Sequence, residues 1–163
     1  MKKCALVLIA LALSASVAGC TVSQASSRDQ YGSYLSELNS GNTYFGLARA
    51  QYDRALQAFA GGVSYDAIDA MASAYGYYNT AMEHYGQMAG FANGPDQKVY
   101  AEALESYAQS CMYAASAYME AYKASDNSDR QKMDASFGNA AAFVTQANGY
   151  HDQAVKLQAM AIT

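Results

Sequence analysis

His84 and His151 are the only imidazoles in the 163-residue chain. Imidazole binds zinc and haem iron and titrates near neutral pH, so these residues come first in any search for chemistry. On two helices that run in the same direction, each about twenty residues from its helix start, they would stand at nearly the same height, within about 3 Å. Asn39–Asn42 and Tyr107 would fall near that level, giving a polar layer with the donor types of a metal or haem site. Their neighbours point the other way. His84 adjoins the polar stripe containing Glu83, and His151 precedes Asp152, as solvated surface histidines do. The pair is therefore a weak metal candidate, and no cofactor is expected. The chain has no Gly-rich phosphate loop, no Cys-x-x-Cys, no His-Glu-x-x-His and no paired Glu-x-x-His. With so few nucleophile–base combinations, it does not read as an enzyme.

Cys111 lies mid-way along an apolar seam, where a thiol behaves as a small inert core residue. Met71 and Met82 share such a seam, but no Met-x-x-Met cluster supports copper, and both read as core filler. Tyrosine is the unusual component, with fifteen copies and no tryptophan. Tyr75, Tyr78, Tyr85, Tyr100, Tyr107 and Tyr118 fall on inward seams, and each buried hydroxyl needs a partner. In one reading the rings fill the interior and the hydroxyls reach its edge. In the other, Tyr75, Tyr78, Tyr85, Tyr107 and Tyr118 line a hydrated interior that admits an apolar or aromatic ligand. Tyr77, Tyr113 and Tyr122 fall off the main seams and would suit an exposed aromatic face for a partner.

The elements that must position these residues are helices. Ile68, Met71, Tyr75, Tyr78, Met82, Tyr85 and Ala89 step by three and four, with a polar stripe opposite. Tyr100, Leu104, Tyr107, Cys111, Ala114, Tyr118 and Ala121 repeat the design. A fourth seam runs from Met133 and Phe137 through Ala140, Val144 and Ala147 to Tyr150, Ala154 and Leu157. A first runs through Tyr31, Tyr34 or Leu35, Leu38, Phe45, Tyr52, Leu56 and Phe59. Gly61–Ser64, Asn93–Pro95 and Ser125–Ser128 punctuate them, giving helices over 28–60, 64–92, 95–124 and 128–161. Capping boxes are expected at Ser27 with Gln30 and at Ser128 with Gln131. Asn39-Ser40-Gly41-Asn42 is the weak point of the first helix, and the sequence leaves open whether the helix is broken there. Matched helices with short links make an all-α, up-down-up-down antiparallel four-helix bundle over residues 28–163.

The N-terminus supplies the location. Lys2 and Lys3 precede a run of about ten apolar residues, too short for the roughly twenty that span a bilayer, and Val17-Ala18-Gly19-Cys20 closes it. This junction resembles the lipobox of prokaryotic lipoproteins. The resemblance implies cleavage of a signal peptide over residues 1–19, acylation (palmitate among the chains) at Cys20, and a permanent membrane anchor. Residues 20–27 then form the lipidated cysteine and a flexible tether. The family's sorting pattern, with Thr21 after the cysteine, implies the outer membrane in a Gram-negative cell and otherwise the outer face of the cell membrane. Losing Lys2 and Lys3 cuts the basic residues from 10 to 8 against 14 acidic ones, a net charge of −6. No basic cluster remains for nucleic acid.

The expected function is a non-catalytic structural or protein-interaction role in the cell envelope, with an envelope protein as partner. The alternative is a carrier or sensor holding a small apolar or aromatic ligand, or a metal or haem, inside the bundle. An exposed aromatic patch of several hundred Å² would mark the first, and an internal cavity of about 300 Å³ or more the second.

Overall fold

The computed structural model describes the backbone of residues 2–162 and the side chains of residues 27–162. The lipobox, Cys20 and the tether up to position 26 lie outside the described side chains. Among the described residues the chain is four long helices and no strand: α1 (Lys2–Ala60), α2 (Ser64–Gly90), α3 (Pro95–Asp126) and α4 (Arg130–Ala161). Short links force each helix antiparallel to the one before it, so the architecture is the expected four-helix bundle.

The links follow from local chemistry. Gly62 ends α1 in the left-handed region (φ 79°), with Val63 N–H donating to the Ala58 carbonyl and Gly62 N–H to that of Phe59. Gly94 is extended before Pro95, which opens α3. Ser128 repeats the Gly62 geometry without being glycine (φ 57°), with Asp129 N–H bonded to the Ala124 carbonyl and Ser128 N–H to that of Ser125. Two expectations shift here. The cap of α4 is Asp129, which accepts from Lys132 N–H at 3.0 Å, because Ser128 is spent on closing α3. Ser27 and Gln30 lie within α1 rather than at its start.

Packing is set by alanine. In α2, Ala67, Ala74 and Ala81 recur every seven residues, and Met71, Tyr78 and Tyr85 recur in the same register; all six are buried. The alanines let α2 approach its neighbours closely and turn its buried face one residue from the expected seam. Tyr75 is corrected accordingly: it is 37% exposed instead of inward. The inner face of α4 is Ser136, Ala140, Ala147, Ala154 and Ala161, again small residues on a seven-residue step. α3 buries two sets, Tyr100, Leu104, Ala114 and Ala121 on one side and Ala101, Ala108, Ala115 and Tyr122 on another. It lies against both α2 and α4. Tyr122, expected off the seam, is thus fully buried.

α1 packs on α2 and α4 on α3, but no Cα of α1 comes within 8 Å of a Cα of α4 among the described residues. Side chains bridge the gap near its ends. At one, Tyr31 Oη donates to the Ile162 carbonyl at 3.0 Å. At the other, the Phe59 ring stacks on Tyr122 (4.2 Å between centroids) and meets Phe137 edge-on (5.9 Å). Between these latches the first and last helices are separated by a cleft.

α1 is continuous through Asn39–Asn42, the point the sequence left open. Tyr85 explains why the irregular residues stand there. Its ring lies so close to Gly41 that a Cβ at that position would collide with it, and its hydroxyl donates to Asn42 Oδ1 at 2.9 Å. Asn-Ser-Gly-Asn is a seat for a tyrosine from α2 instead of a turn.

Candidate functional site

The cleft arises where two inward seams turn polar. Along α1 the three-and-four step that passes through Leu38, Phe45 and Tyr52 also passes through Asn42 and Arg49. Along α4, His151 and Gln158 follow Val144 at seven-residue intervals. Polar and charged groups at these positions keep water contact, so the seams cannot close on each other as an apolar interface would. What remains is a slot floored by α2 and α3 side chains.

Two hollows open off it, each of about 230 Å³. The first is walled by Tyr52, Asp53, Tyr78, Cys111, Val144 and Asn148, among others. The second is walled by Asn42, Tyr85, Tyr100, Leu104, His151 and Gln158, among others. Phe45, Arg49 and Tyr107 line both and mark their junction. The Phe45 ring stands 4.7 Å from that of Tyr107 and 5.1 Å from that of Tyr78, so three helices converge there. Each hollow alone is below 300 Å³ but exceeds the cavity of about 150 Å³ that holds benzene in an engineered core. Each therefore has room for one ring with a short substituent.

Burial raises the phenol pKa of Tyr78, Tyr85, Tyr100 and Tyr107 above its ordinary value, with Arg49 partly opposing the rise at Tyr78 and Tyr107. Tyr52 is raised by burial and by the Tyr118 hydroxyl beside it. The Cys111 thiol is pushed up to about 12 by burial, again against the pull of Arg49. The phenols and the thiol are thus protonated at neutral pH. The cleft offers rings, neutral donors, the Arg49 cation and, in the first hollow, the Asp53 carboxylate.

Of the five tyrosines expected to line a ligand site, Tyr78, Tyr85 and Tyr107 line these hollows. Tyr75 does not, for the reason given above, and Tyr118 stands away from both hollows in the aromatic latch, 5.9 Å from Phe137. Tyr52, Tyr100, Phe45 and Arg49 were not singled out as ligand-lining; the gaps in the α1 seam at positions 42 and 49 were the sequence signal for them. Cys111 is half-buried on the cleft wall instead of sealed in the core.

The supposed histidine layer divides. His84 Nδ1 stands 2.7 Å from Glu37 Oε2 on α1, and its ring stacks on Tyr44 (5.4 Å). His151 lies in the cleft, 5.2 Å from the Tyr107 ring, with Nδ1 3.8 Å from Asp152. The two share no neighbour, and no group of three or more His, Cys, Asp or Glu able to hold a metal ion occurs among the described residues. Of the expected aromatic face, Tyr122 is buried, Tyr77 is half-buried against Tyr44, and only Tyr113 is exposed.

Comparison with protein-family models, with curated proteins and with solved structures finds no match. Among the described residues no helix is long and apolar enough to cross a membrane.

Proposed function

We propose that this is a membrane-anchored, extracytoplasmic lipoprotein with a non-catalytic binding role, whose bundle takes a small apolar or aromatic ligand in the α1–α4 cleft. The anchor rests on the Val-Ala-Gly-Cys junction and its lipobox resemblance, with lipid on Cys20. It implies the outer membrane in a Gram-negative cell and the outer face of the cell membrane otherwise. The binding role rests on one observation: α1 and α4 are bridged near both ends with no Cα pair within 8 Å between them, leaving a tyrosine-walled slot. The two hollows open to solvent and each is smaller than the enclosed cavity of about 300 Å³ that a ligand held wholly inside the bundle would need, so they suit a single ring bound in a groove. A docking role through an aromatic face has less support, since Tyr113, beside Phe143 at 5.4 Å, is all that remains exposed of that face.

The test uses the full-length protein in lipid nanodiscs, with empty nanodiscs as reference, and 3-phenylpropan-1-ol as a neutral single-ring probe. Ligand-observed saturation-transfer NMR should show saturable binding. Asn148→Trp together with Gln158→Trp, at exposed positions that line the two hollows, should abolish it. Wild-type protein that gives no saturable signal would sink the binding role. For the anchor, Cys20→Ser should leave the membrane fraction or remain unprocessed, and an unmodified Cys20 in wild-type membranes would refute it.

A further inference from the structure

Arg49 is solvent-exposed on α1 and lines the junction of the two hollows. It makes no ion pair and no side-chain hydrogen bond to another described residue. Asp53, one turn further along α1, lines the first hollow only. The second hollow contains no carboxylate, and its only ionisable groups besides the phenols are Arg49 and His151. This is a cationic recess in an acidic protein. Tyr100 and Tyr107 also line it, and no described residue accepts a hydrogen bond from either hydroxyl; the Tyr85 hydroxyl, by contrast, is committed to Asn42. The recess thus combines an unneutralised guanidinium, two unclaimed phenol donors and apolar walls from Phe45, Leu104 and Ala154.

Resting on the binding role proposed above, we infer that the ligand of the cleft is a small aromatic anion, a single ring bearing one carboxylate, held in the second hollow with its carboxylate on Arg49. The guanidinium fork matches a carboxylate in two parallel hydrogen bonds, and such charge-assisted bonds are roughly twice as strong as neutral ones. The ring lies against Tyr100, Leu104 and Phe45, where aromatic contacts add to simple burial. Asp53 directs the choice of hollow, because a carboxylate placed in the first would face it at close range in a half-dry site. A neutral ring would leave the Arg49 charge and both phenols without partners. A cation would be repelled by Arg49.

The test compares two probes that differ only at the polar end, 3-phenylpropionate and 3-phenylpropan-1-ol, on the full-length protein in nanodiscs. The carboxylate should bind about tenfold more tightly than the alcohol, as one charge-assisted contact allows. Arg49→Gln should erase that ratio by weakening carboxylate binding far more than alcohol binding, and Arg49→Lys should retain part of it. A helical circular dichroism spectrum and urea midpoint of Arg49→Gln matching wild type show that the variant is folded. Gln158→Trp should block the carboxylate while Asn148→Trp leaves it bound. Added salt should weaken the carboxylate and not the alcohol. Equal affinity for the two probes, or a preference that survives Arg49→Gln, would overturn the anion assignment while leaving the binding role standing. Failure of both probes to bind wild-type protein would overturn both.

Discussion

The ring of Tyr85 occupies the space that a side chain at residue 41 would need, and Gly41 is buried beneath it. Glycine inside a helix ordinarily costs about 1 kcal/mol relative to alanine, so propensity alone favours Gly41→Ala. The packing reverses that sign. The new methyl would displace the Tyr85 ring and its hydrogen bond to Asn42, at a cost of about 1–3 kcal/mol as for other overpacked sites. Gly46, one and a half turns further along α1, has nothing within 4 Å of a built Cβ. Gly46→Ala should therefore be neutral or stabilising by up to about 1 kcal/mol. Urea midpoints of the pair test this, and a stabilised Gly41→Ala would contradict the seat.

Tyr122 is fully buried, and its hydroxyl has no partner among the described residues. A buried donor left unmade costs about 1–3 kcal/mol, and removing it spares that cost while the ring keeps its stacking on Phe59. Tyr122→Phe should raise stability by about 1 kcal/mol. A loss of stability on denaturant unfolding would mean that the hydroxyl is satisfied after all.

Ser128 adopts a left-handed backbone that costs an L-residue about 1–2 kcal/mol, part of which glycine offsets against its larger unfolded-state entropy. Ser128→Gly should gain about 0.5–1 kcal/mol. Asp129→Ala, which removes the α4 cap, should lose about 1 kcal/mol. Thermal unfolding of the two variants should show shifts of opposite sign.

Alkaline pH should unfold the protein. Tyr34, Tyr52, Tyr78, Tyr85, Tyr100, Tyr107 and Tyr122 all have phenol pKa values raised mainly by burial, Tyr122 to about 12, and Cys111 is likewise raised to about 12. In the unfolded chain phenols ionise near pH ~10 and thiols near ~8.5. Above those values the unfolded state binds fewer protons than the folded one, so stability falls as pH rises; below them these groups contribute no slope. Helical circular dichroism should hold up to about pH 9 and then collapse in one step together with the rise of tyrosinate absorbance. Ionisation of all fifteen phenols with the helices intact would show that these seven are not buried.

Fold class was legible because helix-period seams, Gly-Gly, Gly-Pro and an acidic-polar turn all mark the same four elements. Side-chain placement was less so. Tyrosine is ambiguous at the margin of a seam, since its ring can be buried while its hydroxyl is wet, and a rotation of one residue moves it between core and surface. Tyr75 and Tyr122 exchanged roles for that reason, because the heptad alanines, not the large residues, decide which face of α2 and α3 is buried. Alanine carries little hydrophobic signal but permits the closest approach. The cleft was hidden for a related reason. Asn42, Arg49, His151 and Gln158 each look like ordinary surface residues, and only the pairing of their two helices across one gap gives them a common place. The Asn39–Asn42 irregularity was visible, but its meaning depended on a partner 43 positions away at Tyr85.

The absence of a close α1–α4 interface also bears on how the chain reaches its fold. Every extensive contact joins helices adjacent in sequence, and the long-separation pair is left with a few side chains at its ends. Such a topology has low contact order, the condition under which helical domains fold in microseconds to milliseconds. The helices can associate as consecutive hairpins, without the entropic cost of first bringing the two ends of the chain together. Phe59–Phe137 and Tyr31–Ile162 then become closures made late, on a scaffold that the nearest neighbours have already assembled.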